Sequence, residues 1–129
     1  MALAKANRLK ARSDFQAVFQ AGIRHKSSHL TLRALCMKQS MLSTPAPELA
    51  PTKLGISVST KVSKRAVIRN RIKRQIRAAF RSLLPQVAPG WRIVVVVQPR
   101  AVAEKCDYQQ FLQELEQLLT KAEAINGHS

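Results

Sequence analysis

The sequence has 129 residues, the size of one domain, and its 46% apolar content allows a folded core that 5% aromatics make mainly aliphatic. Its 22 Lys and Arg against 7 Asp and Glu give a formal net charge of +15, a self-repulsion best relieved by an anionic partner, with nucleic acid the commonest kind and a membrane surface second. Neither a membrane span of roughly 18 apolar residues nor the apolar run of a signal peptide is present, and Cys36 and Cys106 lack metal-ligand spacing, so a cytoplasmic chain with two reduced thiols and no protein-bound metal is expected.

Residues 1–12 are basic, show little periodicity and read as a flexible arm of a single domain. Ser13 opens a capping box with Gln16, Asp14 complements the dipole of the first turn, and a short helix should run to about Gln20 and stop at Gly22. Residues 29–37 read as a strand, with Leu30, Leu32, Ala34 and Cys36 on one face and Thr31, Arg33, Leu35 and Met37 on the other. Residues 39–52 hold three prolines and form a long, mobile loop. Residues 54–59 alternate, with Leu54, Ile56 and Val58 inward. Gly55, Ser57 and Ser59 point outward and make a small, polar face that another chain can approach closely. A long helix follows, from Ser63 or Arg65 to Leu84, ended by Pro85. Its buried stripe is Ile72, Ile76, Ala79 and Leu83, with Phe80 at the edge. The continuous apolar run 91–97, WRIVVVV, suits a central strand covered on both sides. Asp107 caps a last helix with Gln110 closing a second box. Tyr108, Phe111, Leu112, Leu115, Leu118, Leu119 and Ala122 line its apolar side, and residues 124–129 form a tail. The order helix, strand, strand, helix, strand, helix is that of a small α/β domain with helices packed on a sheet.

Charge is unevenly distributed. Residues 1–100 carry +18 with only Asp14 and Glu48 as acids, whereas residues 101–129 carry −3, so the C-terminal segment should face away from a polyanion. The stretch 61–81, KVSKRAVIRNRIKRQIRAAFR, contains nine basic residues and no acid, and arginine outnumbers lysine in it. At 100° per residue, Asn70, Lys73, Arg74, Arg77 and Arg81 fall opposite Ile72, Arg71 lies beside them, and Arg65 and Arg69 lie near the buried stripe. Like charges at i,i+4, such as Lys73/Arg77 and Arg77/Arg81, cost an isolated helix a few tenths of a kcal/mol each, roughly. The planar fork of arginine suits phosphate. A face loaded with such penalties is best explained by an outside anion.

The stretch 55–81, GISVSTKVSKRAVIRNRIKRQIRAAFR, resembles the signature of the bacterial ribonuclease P protein: a Gly-led strand, a Lys-containing connection, and an Arg69-Asn70-Arg71 core continuing into a basic helix. Residues 8–22, RLKARSDFQAVFQAG, are similar to that family's opening. The resemblance implies an α/β (α+β) two-layer sandwich, a small mixed sheet with helices packed on it, like the second domain of ribosomal protein S5. It also implies a left-handed βαβ crossover, where ordinary rules give a right-handed one.

By the same resemblance, Arg65, Arg69, Asn70, Arg71, Lys73, Arg74 and Arg77 bind the catalytic RNA. A cleft lined by Phe15, Phe19, Thr31, Arg33, Ser57, Ser59 and Lys61 takes the 5′ leader of precursor tRNA. Hydrolysis of the leader is run by the RNA and Mg²⁺, the protein needs no cofactor of its own, and one copy pairs with one RNA subunit. Phe15 and Phe19 share a helix face, where they either stack on unpaired bases or serve as core. Arg33 stands where some relatives carry an aromatic.

Nothing in the sequence marks the chain as a catalyst by itself. Two-metal cleavage needs clustered carboxylates, and residues 1–100 offer two, already assigned to a cap and a loop. Metal-free cleavage needs a placed acid/base pair. His128 lies in the tail, and His25 and His29 flank a basic turn, near phosphate or in water. Two other readings stand beside the ribozyme subunit: a structural protein of another ribonucleoprotein, such as a ribosomal protein, and a DNA- or membrane-surface module acting through the basic helix.

Overall fold

The computed structural model describes residues 7–9, 12–36 and 52–125. Helix α1 (Arg12–Ala21) leads into strands β1 (Ile23–Lys26), β2 (Leu30–Cys36) and β3 (Lys53–Ser57). Helix α2 (Ala66–Leu83) ends in a 3₁₀ turn over Leu84–Gln86, and strand β4 (Trp91–Val97), the short helix α3 (Arg100–Ala103) and helix α4 (Tyr108–Lys121) complete the chain. Pro85 sits in the 3₁₀ turn, where its missing N–H costs nothing, and blocks further α-helix.

The sheet order is β1-β2-β4-β3. β2 pairs antiparallel with both β1 and β4, while β3 is parallel to β4. The parallel pair is joined through α2, giving a β3-α2-β4 crossover in a mixed sheet, as the resemblance implies. β4 is apolar apart from Arg92 because both its faces are covered. Ile93, Val95 and Val97 join Leu30, Leu32, Ala34 and Leu54 under the apolar sides of α2 and α4. Val94 faces the other way, into a smaller core with Leu9 and Val18, and Phe15, Leu35 and Val96 pack at its edge. The sandwich proper is therefore sheet against α2 and α4, with α1 laid over part of the opposite face.

Both amphipathic stripes hold. Ile72, Ile76, Ala79 and Leu83 of α2 are buried, and Phe80 is fully buried where the periodicity put it at the edge. Phe111, Leu115, Leu118, Leu119 and Ala122 are buried along α4. The Asp107 side chain accepts a hydrogen bond from the Gln110 backbone N–H at 3.1 Å, so the cap forms. The reciprocal half of the box does not, because the Gln110 side chain turns to Glu114 Oε2 instead, at 2.7 Å.

Several expectations change. The basic turn after Gly22 contains a strand, β1, whose four residues are too short to show alternation, and the four-residue α3 is likewise unforeseen. α1 already includes Arg12, so Ser13 lies inside the helix and not before it. Gly22 follows α1 for closeness: a Cβ there would lie 2.5 Å from the Val18 carbonyl oxygen and 2.9 Å from that of Ala34. Within the expected arm, residues 7–9 run along β3, where the Leu9 N–H donates to the Leu54 carbonyl at 2.8 Å and Leu9 is buried. Within the expected tail, Ala124 and Ile125 are buried, and Ile125 forms a bridge with Val87. The remainder of the expected arm and tail, other than Arg12, and residues 39–51 of the expected loop lie outside the described residues.

His29 does not stand in water. It is buried, with Nδ1 2.6 Å from Glu114 Oε2 and Nε2 2.8 Å from Glu104 Oε1. The hydrogen bonds with Glu114 and Glu104 raise the imidazole's pKa above its ordinary value. Glu114 is the buried exception to an otherwise exposed set of C-terminal acids, and its carboxylate ties α4 to the turn before β2. Burial pushes its pKa up, but hydrogen bonds from Gln110, Ser27 and His29 outweigh that and hold it below the usual range.

Candidate nucleic-acid interface

Two surfaces carry the residues singled out from the sequence. The first is the solvent side of α2. Arg65, Asn70, Arg71 and Arg74 are exposed, and Arg69, Lys73 and Arg77 are half-buried, their stems lying along the helix flank. Arg65 is the residue before the helix and its side chain makes no cap. The Arg69 guanidinium bends back to the Ser63 carbonyl, 2.8 Å from Nη1, and so braces the connection that enters the helix. Among the described residues, no Asp or Glu lies within ion-pair distance of an α2 arginine or lysine; the ion pairs there join His29 to Glu104 and Glu114, and Arg100 to Glu104. The first turn of α2 also lacks an acid, so the positive end of its dipole adds to the basic field.

The second surface is the sheet face that carries α1. Paired residues share a face, so the register aligns Arg24, Arg33, Val94 and Gly55 in one row and Lys26, Thr31, Val96 and Ser57 in the next. α1 lies over the first row. Phe15 covers Gly55, where a Cβ would come 2.5 Å from the ring's Cζ. The close approach that the small outer face of β3 permits is thus made, at Gly55, by the chain's own Phe15 and Leu9. Phe15 is half-buried against the smaller core, whereas Phe19 is 39% exposed. The Arg33 guanidinium lies over the Phe19 ring, 5.1 Å from its centroid. The second row is more open. Thr31 Oγ1 accepts from Gln98 Nε2 at 3.4 Å, Ser57 lies two strands away across Val96, and the row leads on to exposed Ser59 and Lys61.

Sequence reasoning missed Arg24 and Lys26, which β1 sets on the same face as Arg33 and Thr31, and Gln98, which follows β4 beside Thr31. Only the register reveals them. The two surfaces lie on opposite sides of the sheet and meet where β3 runs through Ser59 and Lys61 into α2. The C-terminal carboxylates of Glu104, Asp107, Glu114, Glu116 and Glu123 lie on α4 and the segment before and after it, and Glu114 is engaged with Ser27, His29 and Gln110. No described helix is long and apolar enough to cross a membrane.

Comparison with known proteins gives the family of the chain. Residues 3–123 match the family model described as Ribonuclease P. The chain is 59% identical to the ribonuclease P protein component of Trichormus variabilis, with all of both chains covered. Among solved structures, the Staphylococcus aureus RNase P protein superposes with a TM-score of 0.75 at 29% identity, covering 95% of this chain and 100% of that one. The Thermotoga maritima RNase P protein gives 0.72 at 25% identity, covering 89% and 96%. These matches do not favour a structural protein of another ribonucleoprotein. The chain belongs to the ribonuclease P protein family, the protein component of the tRNA-processing enzyme.

Proposed function

We propose that the arginine-lined face of α2 grips the backbone of the catalytic RNA while the α1 side of the sheet holds the 5′ leader of precursor tRNA. The carrying observation is that α2 anchors one side in the core and presents the other as a basic surface that no described acid neutralises. Arg65, Arg69, Asn70, Arg71, Lys73, Arg74 and Arg77 make the RNA contacts in this reading. Phe15, Phe19, Thr31, Arg33, Ser57, Ser59 and Lys61 make the leader contacts, with Phe15 acting mainly as the support that positions α1. An extended single strand suits the second surface, because its open row is polar and its aromatic edge stacks without reading sequence.

In this reading the protein is an accessory subunit, one per RNA, working in the cytoplasm. Hydrolysis of the leader falls to the RNA and its Mg²⁺, and the chain's part is to bind and position. The test is reconstitution with the catalytic RNA. The complex should bind leader-bearing precursor tRNA more tightly than mature tRNA, and the protein should raise cleavage at low Mg²⁺. Equal affinity for the two tRNAs would remove the leader-binding half of the proposal.

A further inference from the structure

We propose that His29, Cys106 and Glu114 form a site for a divalent transition-metal ion of the zinc class. One donor atom from each lies within 4.8 Å of the others. Around a tetrahedral ion with bonds of 2.0–2.3 Å, donors stand roughly 3.2–3.8 Å apart, so small side-chain rotations convert this cluster into a coordination set. The three residues come from the β1–β2 turn, the connection before α4, and α4 itself. An ion there pins three separate segments, an arrangement that short-range motif spacing cannot reveal.

The surroundings resemble the outer shell of a metal centre. Metal-bound histidines usually give their second nitrogen to a carboxylate, which fixes the tautomer. His29 Nε2 lies 2.8 Å from Glu104 Oε1, and Glu104 is steadied by Arg100 Nε at 3.0 Å. That arrangement leaves Nδ1 as the ligand atom, facing Glu114 Oε2 at 2.6 Å. Glu114 is oriented in turn by Ser27 Oγ and by the His29 N–H, 2.9 Å from Oε1. Cys106 is set by Lys105, whose φ is 53°, and by its own N–H donating to the Ala101 carbonyl at 2.9 Å. A surface pocket lined by His29, Glu104, Lys105, Cys106, Asp107 and Gln110 gives access.

Without an ion the cluster is a compromise. Burial and the nearby carboxylates push the Cys106 thiol up to about 11, and the hydrogen bonds with Glu114 and Glu104 raise the His29 imidazole above its ordinary value. A dication bound to the thiolate and to Nδ1 displaces the thiol proton and any proton held on Nδ1. A thiolate, an imidazole and a carboxylate select zinc or cobalt over magnesium, which prefers oxygen ligands alone. This ion would be structural and independent of the Mg²⁺ used with the RNA.

Cobalt(II) titration of the full, metal-stripped chain tests the assignment. A thiolate-to-cobalt charge-transfer band should appear, zinc should displace it, and millimolar Mg²⁺ should not. Cys36→Ser should keep the band, Cys106→Ser should lose it, and His29→Asn should weaken binding at least tenfold. Cys106→Ser preserves side-chain volume, and its circular dichroism verifies folding independently of metal. Absence of the band in the parent chain, or its survival in Cys106→Ser, overturns the site. Cobalt held only by surface histidines gives no sulfur band and is likewise a negative result.

Discussion

The Arg33 guanidinium stacks on the Phe19 ring, 5.1 Å from its centroid, while Nη2 of the same group donates to the Phe19 backbone carbonyl. One side chain of β2 therefore closes one ring face and also holds the end of α1 against the sheet. An exposed cation–π pair contributes about 0.5–1 kcal/mol. Its larger consequence is geometric, since a base can stack only on the ring face left open or on the guanidinium itself.

The two residues should consequently act as a unit in leader binding. Phe19→Ala and Arg33→Ala should each reduce the preference of the reconstituted complex for leader-bearing over mature tRNA. The double variant should lose less than the sum of the two, with a coupling energy of about 0.5–1 kcal/mol. Strict additivity in that cycle would mean that the residues meet the leader separately.

Two glycines predict different defects. A Cβ at Gly55 meets the Phe15 ring, with Cζ at 2.5 Å and Cε1 at 2.6 Å; a side chain can swing aside. A Cβ at Gly22 meets backbone oxygens of Val18 and Ala34, at 2.5 and 2.9 Å, which cannot move without shifting α1 from β2. Gly22→Ala should thus lower stability by about 1–3 kcal/mol, in the range of overpacking, read from the urea midpoint. Gly55→Ala should cost less stability but reduce leader affinity, because the displaced ring re-aims α1. Unchanged leader binding in folded Gly55→Ala would show that Phe15 does not position the cleft.

Much of this architecture is legible in the sequence because the burial pattern is regular. The stripe of Ile72, Ile76, Ala79 and Leu83 identifies α2 and its inner side, and WRIVVVV identifies a strand covered twice. The acid-free face of α2 announces its partner through charge alone, and the Arg69-Asn70-Arg71 core carries the family resemblance. What escapes is whatever depends on register. β1 has four residues, too few for periodicity, so Arg24 and Lys26 read as turn residues until pairing places them beside Arg33 and Thr31. His29 reads as solvated because its partners, Glu104 and Glu114, lie 75 and 85 residues away in sequence. Phe15 and Phe19 look equivalent at a spacing of four, yet Gly55 lets Phe15 sink toward the sheet while Phe19 remains at the rim.

The Asp107 cap offers a check on the α4 anchor. Asp107→Ala removes the acceptor for the Gln110 N–H and should cost about 0.5–2 kcal/mol of stability, measured by chemical unfolding. Affinity for the catalytic RNA should be unchanged once the variant is folded, since the Asp107 carboxylate caps α4 and is not ion-paired with any described arginine or lysine of α2. A matching loss of RNA affinity would mean that α4 takes part in the interface.

The basic face of α2 makes a prediction with opposite signs in two measurements. Arg77 has Lys73 one turn before it and Arg81 one turn after, with no acid between them. Like charges at that spacing destabilise a helix by about 0.2–0.5 kcal/mol per pair, and glutamine has a helix propensity close to that of arginine. Arg77→Gln should therefore raise the stability of the free protein by a few tenths of a kcal/mol, roughly, while lowering affinity for the catalytic RNA. If Arg77 meets a phosphate, the slope of log affinity against log salt should also become shallower by about 0.7–0.9. Arg100→Gln, which removes a partner of Glu104 off this face, should leave the slope unchanged. A helix charged only for solubility would give the stability gain without any change in slope, and that result would remove α2 as the RNA-gripping surface.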